Sequence, residues 1–237
     1  MGGLASVSRT PAVLPFVWGP TVAVGILLAL AVEGMLTARS GGAVATVLAT
    51  SFLAVLVGIA GAKLWYVVLH RRDRSLNGWC IQGLLVGVTA VIALGVALAR
   101  LPLGVVLDAL APGLLLGMGV GRIGCFFAGC CAGRPTGSRW GIWSSDRQVG
   151  ARRIPTQLME SGVCFLVAAA ALTITLGRPP GGDGALFVAS LAAYTPVRQV
   201  ILRVRAEKRL SVVGGPLTAA IAAAALIASS LVLALSR

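Results

Sequence analysis

Gly121-Arg122-Ile123-Gly124-Cys125-Phe126-Phe127-Ala128-Gly129-Cys130-Cys131-Ala132-Gly133-Arg134-Pro135-Thr136 follows an apolar run over residues 101–121 and opens the longest polar loop of the chain. Two arginines, four glycines and three cysteines fall within these 16 residues. An arginine at the edge of a membrane core is costly and is usually retained for a task. Glycines let a backbone approach a ligand closely. The stretch therefore reads as a site that grips an anionic group at a bilayer surface, and the run before it reads as a membrane helix.

Composition supports that class. Of 237 residues, 57% are hydrophobic and only 11% charged, with a mean hydropathy of +0.94; soluble domains carry about 25% charged residues. Seven apolar segments cover approximately residues 13–36, 43–69, 79–99, 101–121, 157–177, 184–202 and 212–236. Each is near the roughly 20 residues that a spanning helix needs. The predicted fold is all-α: a polytopic integral membrane protein with seven transmembrane helices around a polar, lipid-accessible cavity. The first segment, preceded only by Arg9, is longer than a signal-peptide core and is read as a retained helix. The chain reads as a single transmembrane domain over 1–237, with a long interfacial loop over 122–156. Gly133-Arg134-Pro135-Thr136 marks a turn in that loop, and Trp140 and Trp143 suit an interfacial belt.

The net charge is +13, from 20 Lys+Arg against 7 Asp+Glu, and nearly all the cations are arginine. With no soluble domain to carry a basic face, nucleic acid is not an expected partner. Anionic phospholipid is, because guanidinium forks grip phosphate with two hydrogen bonds. Orientation by the positive-inside rule is the alternative source of the charge. Six segments each carry one conspicuous polar residue: Glu33, Lys63, Gln82, Asp108, Glu160 and Arg198. Such groups pair with one another or line a wet cavity. One shared cavity is expected, with scattered interhelical hydrogen bonds as the plainer alternative.

On these motifs the chain resembles the bacterial prolipoprotein diacylglyceryl transferase family. The family's Gly-Arg-Ile-Gly-Asn-Phe signature leading to Gly-Arg-Pro-Thr is matched by residues 121–126 and 133–136. Its Arg-His-Pro-Ser/Thr-Gln-Leu-Tyr-Glu element resembles Arg153-Ile154-Pro155-Thr156-Gln157-Leu158-Met159-Glu160. Its Tyr-Gly-x-x-Arg resembles Tyr194-Thr195-Pro196-Val197-Arg198, its His-Gly-Gly-Leu-Ile-Gly resembles residues 82–87, and its Gly-Gly-Arg resembles Gly61-Ala62-Lys63. Order and spacing agree across residues 55–205.

The resemblance implies transfer of the diacylglyceryl group of phosphatidylglycerol to the thiol of a lipobox cysteine in a prolipoprotein, with glycerol phosphate leaving. It implies a multi-pass location in the bacterial inner membrane and no cofactor. A catalytically inactive, phosphatidylglycerol-binding paralogue or scaffold is the alternative, and a membrane thiol redox protein is a third. Arg122, Arg198, Glu160 and Gln82 are implied at the reacting centre. Lys63, Gly83, Gly121, Gly124, Cys125, Gly129, Cys130, Gly133, Arg134, Arg153, Gln157 and Tyr194 are implied as the substrate-binding set. Arg122 and Arg198 would clamp the phosphate, with Lys63 or Arg134 assisting.

The departures fall on the proton-handling side. Gln82 and Ile154 stand where the family has histidines, and glutamine cannot take a proton at neutral pH. Cys125 replaces an asparagine, Ala128-Gly129-Cys130 replaces Asn-Gly-Glu, Met159 replaces the tyrosine before Glu160, and Leu202 replaces a glutamate. Glu160 is then read as a base or as an arginine's partner. His70, beside Arg71 and Arg72, reads as an interface anchor rather than a catalyst. Asp108 reads as a helix cap or a structural ion pair.

No metal site is expected. Cys125, Cys130 and Cys131 have no histidine or fourth thiol close by in the sequence. They read as packing residues, as carriers of a transient adduct, or as a disulfide pair, while Cys80 and Cys164 read as packing residues. The loops after the second, fourth and sixth helices share one arginine-rich face. The positive-inside rule places that face in the cytoplasm; the resemblance places it outside and is preferred.

Overall fold

The computed structural model describes residues 13–69, 81–143, 146–177, 183–206 and 215–235. A short 3-10 turn, Pro15–Val17, leads into helix α1 (Trp18–Arg39). Helices α2 (Val44–Leu69), α3 (Ile81–Ala99), α4 (Leu103–Ala128), α5 (Thr156–Gly177), α6 (Ala185–Arg203) and α7 (Gly215–Leu235) follow. Six of the seven, all but α3, are long and apolar enough to cross a membrane; in α3 the apolar stretch is the shorter Val86–Ala99. Leu27, Leu64, Leu98, Leu166, Ile227 and Leu235 project outward. Large apolar side chains outside and small ones inside are what a lipid solvent selects.

Helix α4 organises the bundle. It lies against α1 along its length and meets α5 and α6 on another side, while α3 packs on α2 and α7 on α6. Small residues set the α1–α4 crossing. A Cβ on Gly117 would come within 2.7 Å of the Gly25 carbonyl oxygen, and one on Gly113 within 2.5 Å of that of Ala29. Gly113 and Gly117 thus form a GxxxG seam, which lets two backbones touch in a medium where apolar side chains gain nothing by leaving lipid. Gly61 and Gly83 do the same between α2 and α3, with a separation of 2.5 Å for the equivalent test atom on Gly61.

Two expectations are corrected. The loop does not open at Arg122: α4 runs on to Ala128, because Ile123, Phe126 and Phe127 continue the apolar helix. Gly129, left-handed at φ 66°, ends it. The six polar residues also do not share one cavity. Asp108 and Arg122 stand 14 positions apart on α4, roughly 21 Å along the axis. Glu33 Oε1 accepts from Ser51 Oγ at 2.8 Å between α1 and α2. Asp108 Oδ1 accepts from the Phe187 N–H at 3.1 Å, in the first turn of α6. Asp108 is therefore a helix cap, though of α6 rather than of its own helix. Lys63, 12 positions beyond Ser51 on α2, comes to about the depth of Arg122, but on a helix packed against α3 and α1.

The segment after α4 is stitched down rather than loose. Strand β1 (Ile142–Trp143) pairs antiparallel with β2 (Arg152–Arg153). The Arg134 N–H donates to the Val204 carbonyl at 2.9 Å, and the Ala206 N–H donates to that of Ala132 at 3.0 Å. The Leu14 N–H donates to the Phe127 carbonyl at 2.7 Å, tying the start of the described chain to the same end of the bundle. The exit of α4, the exit of α6 and the loop between α4 and α5 therefore form one cationic cap. Trp140 is exposed, with the Arg139 guanidinium 5.0 Å from its ring centroid.

Candidate functional site

At that end, three helices converge on one carboxylate. Glu160 stands in the second turn of α5 with its side chain almost wholly buried. Its Oε1 accepts from Arg122 Nη2 of α4 at 3.0 Å, from Arg198 Nη1 of α6 and from the Tyr194 hydroxyl of α6. Tyr194 and Arg198 are four residues apart and so share one helix face; Arg198 Nη1 also reaches the tyrosine oxygen at 2.6 Å. The Arg198 guanidinium lies 5.8 Å from the Tyr194 ring centroid. Arg122 side-chain exposure is 17% and that of Arg198 is 32%, against 3% for Glu160. The carboxylate is thus the closed inner end of the group, and the guanidinium groups are its open side.

Two arginines and one carboxylate carry a net charge of +1. Such a group holds its own shape and still attracts a singly charged anion. Oε1 is already saturated by three donors, two of them cationic. That geometry makes Glu160 the element that aims the arginines. Buried ion pairs of this kind are costly to break, because one charge is left without its partner.

Around this cluster the loop brings the three cysteines together. The Cys125, Cys130 and Cys131 sulfurs all lie within 4.8 Å of one another. Helix α5 fixes the loop from beneath: Thr156 Oγ1 donates to the Cys131 carbonyl at 3.0 Å, and Gln157 Nε2 to that of Cys130 at 2.7 Å. Hydrogen bonds from the Cys125 and Cys130 thiols, and then the Arg205 and Arg122 charges, hold Cys131 well below the usual thiol range. Its bonding with Cys125 and Cys131, and then burial, push Cys130 the other way.

The remaining sequence-predicted residues divide by what they touch. Arg153 is buried, paired with Asp146 at 3.0 Å, and donates to the Gly133 carbonyl at 3.1 Å. Gly133 is where a Cβ would strike the Ile154 carbonyl oxygen at 2.2 Å, so it permits the loop to lie against the entry to α5. Arg134 is exposed and its Nε donates to the Arg205 carbonyl at 3.3 Å. Gly121 and Gly124 face Val22 and Thr21 of α1, Gly129 is the α4 cap, and Gly83 is at the α2–α3 crossing. Lys63 is half-buried on α2. Gln82 opens α3, with its side chain outside the described residues, as are His70 and Cys80. Sequence reading passed over Ser161, whose Oγ donates to the Gly119 carbonyl at 2.8 Å and locks α5 to α4. The loop's Arg147 donates through Nε to the Ala128 carbonyl at the end of α4; a cation there also suits the helix dipole.

The chain is similar to proteins of several bacteria. A protein of Dehalococcoides mccartyi (strain 195), named phosphatidylglycerol–prolipoprotein diacylglyceryl transferase, is 31% identical over 172 residues, 68% of this chain and 65% of that relative. A protein of Clostridium tetani with the same name is 26% identical over 81% of each chain. One of Clostridium perfringens, numbered 2 under that name, is 37% identical over 47% of this chain and 48% of its own length. The family model for prolipoprotein diacylglyceryl transferase matches residues 15–236, which contain every helix and the whole arginine–carboxylate cluster, and the chain belongs to that family.

Proposed function

We propose that this protein is a phosphatidylglycerol-dependent diacylglyceryl transferase of the bacterial inner membrane, acting on the cysteine thiol of a prolipoprotein. The observation that carries the reading is the meeting of Arg122 and Arg198 on Glu160 with a residual charge of +1. A phosphodiester carries one negative charge, so the site and the headgroup match. Arg198, the more exposed of the two, offers donors that are not spent on Glu160.

The chemistry follows from that charge. The acceptor thiol gives up its proton to the medium, and its sulfur attacks the glyceryl carbon joined to the phosphate oxygen. That carbon–oxygen bond breaks, and glycerol phosphate leaves with the negative charge on phosphate. Guanidinium groups fixed in advance stabilise the charge as it develops. The same positive field favours the acceptor thiolate. An apolar cavity of about 220 Å³, lined by Val32, Pro112, Leu116, Phe165 and Leu172, lies between α1, α4 and α5 and suits an acyl tail.

Helix α3 is read as a seventh span: its 19 residues reach about 28 Å, close to the hydrocarbon thickness. The cationic cap is read as facing outward. Arg147, Arg152 and Arg153 are held by carbonyls or by Asp146, so they serve the cap's structure and need not act as topology signals.

The test is direct. Purified protein is incubated with phosphatidylglycerol and a lipobox peptide, and the peptide mass is followed. A diacylglyceryl adduct on the cysteine supports the reading. Co-purifying lipid without any adduct would make the chain a lipid-binding paralogue instead.

A further inference from the structure

The thiol cluster is not used by the reaction above. We propose that Cys125, Cys130 and Cys131 form a three-thiolate site for a soft monovalent cation of the Cu⁺ class, at the end of α4. Three sulfurs from one short segment lie within 4.8 Å of one another. With metal–sulfur bonds of about 2.3 Å, three sulfurs around a trigonal ion stand about 4 Å apart, so closure needs a movement of under about 1 Å.

Packing alone does not account for the arrangement. Cys131 has φ 58°, a left-handed conformation that a residue with a Cβ adopts at a cost and that glycine adopts freely. Together with left-handed Gly129, it turns the chain back over the last helical turn. The Cys130 N–H closes onto the Cys125 carbonyl at 3.1 Å, which sets the Cys130 side chain beside Cys125. Thr156 and Gln157, both buried, then hold the Cys131 and Cys130 carbonyls. The donors are thus positioned by rigid partners on a second helix, as a preorganised ligand set requires.

The donor count selects the ion. Among the described residues, no histidine, aspartate, glutamate or fourth cysteine joins the group. Zinc prefers four ligands, whereas thiolate sulfur selects soft cations such as Cu⁺, for which three donors suffice. Binding joins Cu⁺ to three thiolates in a Cu(S)₃ centre of charge −2, with release of the protons that the thiols still carry, and Arg122 and Arg205 lie close enough to Cys131 to offset that charge. The site stands independently of the transferase reading.

The test titrates the reduced, full-length protein in detergent anaerobically with Cu⁺, against a competing chelator, and separately with Zn²⁺. The expected result is one Cu⁺ retained per chain, with a thiolate-to-metal charge-transfer band in the ultraviolet. Cys125→Ser, Cys130→Ser and Cys131→Ser should each lose the band, and Cys164→Ala should keep it. Because the serine variants could misfold, the unmodified protein is also alkylated with and without Cu⁺. Protection of all three thiols supports the site. Absence of protection, a band that survives the triple serine variant, or tighter retention of Zn²⁺ than of Cu⁺ overturns it.

Discussion

Arg122 of α4 and Arg198 of α6 donate to the same oxygen, Oε1 of Glu160. Neither arginine is adjacent to the other in sequence, and each comes from a separate helix, so the pair exists only because α5 carries a carboxylate between them. That relationship ties α4, α5 and α6 together at one end of the bundle, with α1 packed along α4.

Replacing Arg198 by Ala should lower adduct formation by on the order of 10²–10³-fold, the usual cost of removing one preorganised donor to a developing anion. Arg198→Lys should recover only part of it, since a point charge cannot reproduce the planar fork. Arg39→Ala is the control: Arg39 donates to the Leu176 carbonyl at the other end of the bundle. Equal losses in Arg39→Ala and Arg198→Ala, followed by peptide mass, would remove Arg198 from the site.

Glu160→Gln separates two roles by pH. As the residue that aims the arginines, it should lose activity by a similar factor at every pH, because the geometry is lost whatever the acceptor's protonation. It should also lower stability by about 3–5 kcal/mol, the range for breaking a buried ion pair, read from thermal unfolding in detergent. A free thiol ionises near about 8.5. A loss that shrinks as pH rises through that value would instead make Glu160 the base.

Asp108→Ala should act on the fold and not on the arginine–carboxylate cluster. It removes the acceptor for the first turn of α6, which costs about 0.5–2 kcal/mol for a helix cap. The arginine cluster is roughly 21 Å away along α4. Thermal stability should fall while phosphatidylglycerol retention, measured on the lipid that co-purifies, stays unchanged.

Gly117→Leu should loosen the α1–α4 seam. Even a Cβ there would lie 2.7 Å from the Gly25 carbonyl oxygen, which belongs to backbone and cannot swing aside. A leucine on Gly162, which has nothing within 4 Å of its test atom, should leave the unfolding temperature unchanged. Similar shifts for both would show that the seam is not under the expected constraint.

The sequence made the class and the helix positions legible because a 20-residue apolar run is a one-dimensional signal. Arg122, Glu160 and Arg198 were legible as a set through the family's motifs. Their shared oxygen was not, since convergence of three helices is a property of packing. The shared cavity failed for the same reason: Glu33 and Asp108 look like Glu160 in sequence but find Ser51 and the start of α6 at other places. Arg153 reads as one more cation of the site, yet Asp146 and the Gly133 carbonyl claim it. The thiol cluster depends on left-handed Cys131, a backbone state that residue type argues against.

The positions where the family has histidines supply the last prediction. Ile154 lies two residues before the start of α5 and six before Glu160, and its N–H donates to the Arg134 carbonyl at 3.1 Å, so the backbone there is fixed whatever side chain it carries. Ile154→His is therefore tolerated by the fold, and its imidazole adds a proton acceptor that titrates near neutral pH, at about 6.5. Thiol transfer to the lipobox peptide should rise in Ile154→His and rise further with Gln82→His, most visibly below the thiol's own ionisation range, where the unaided thiolate is scarce. At high pH the two variants and the parent protein should converge. If the double variant forms no adduct while phosphatidylglycerol still co-purifies, the arginines hold a lipid that the chain does not transform, and the transferase reading fails.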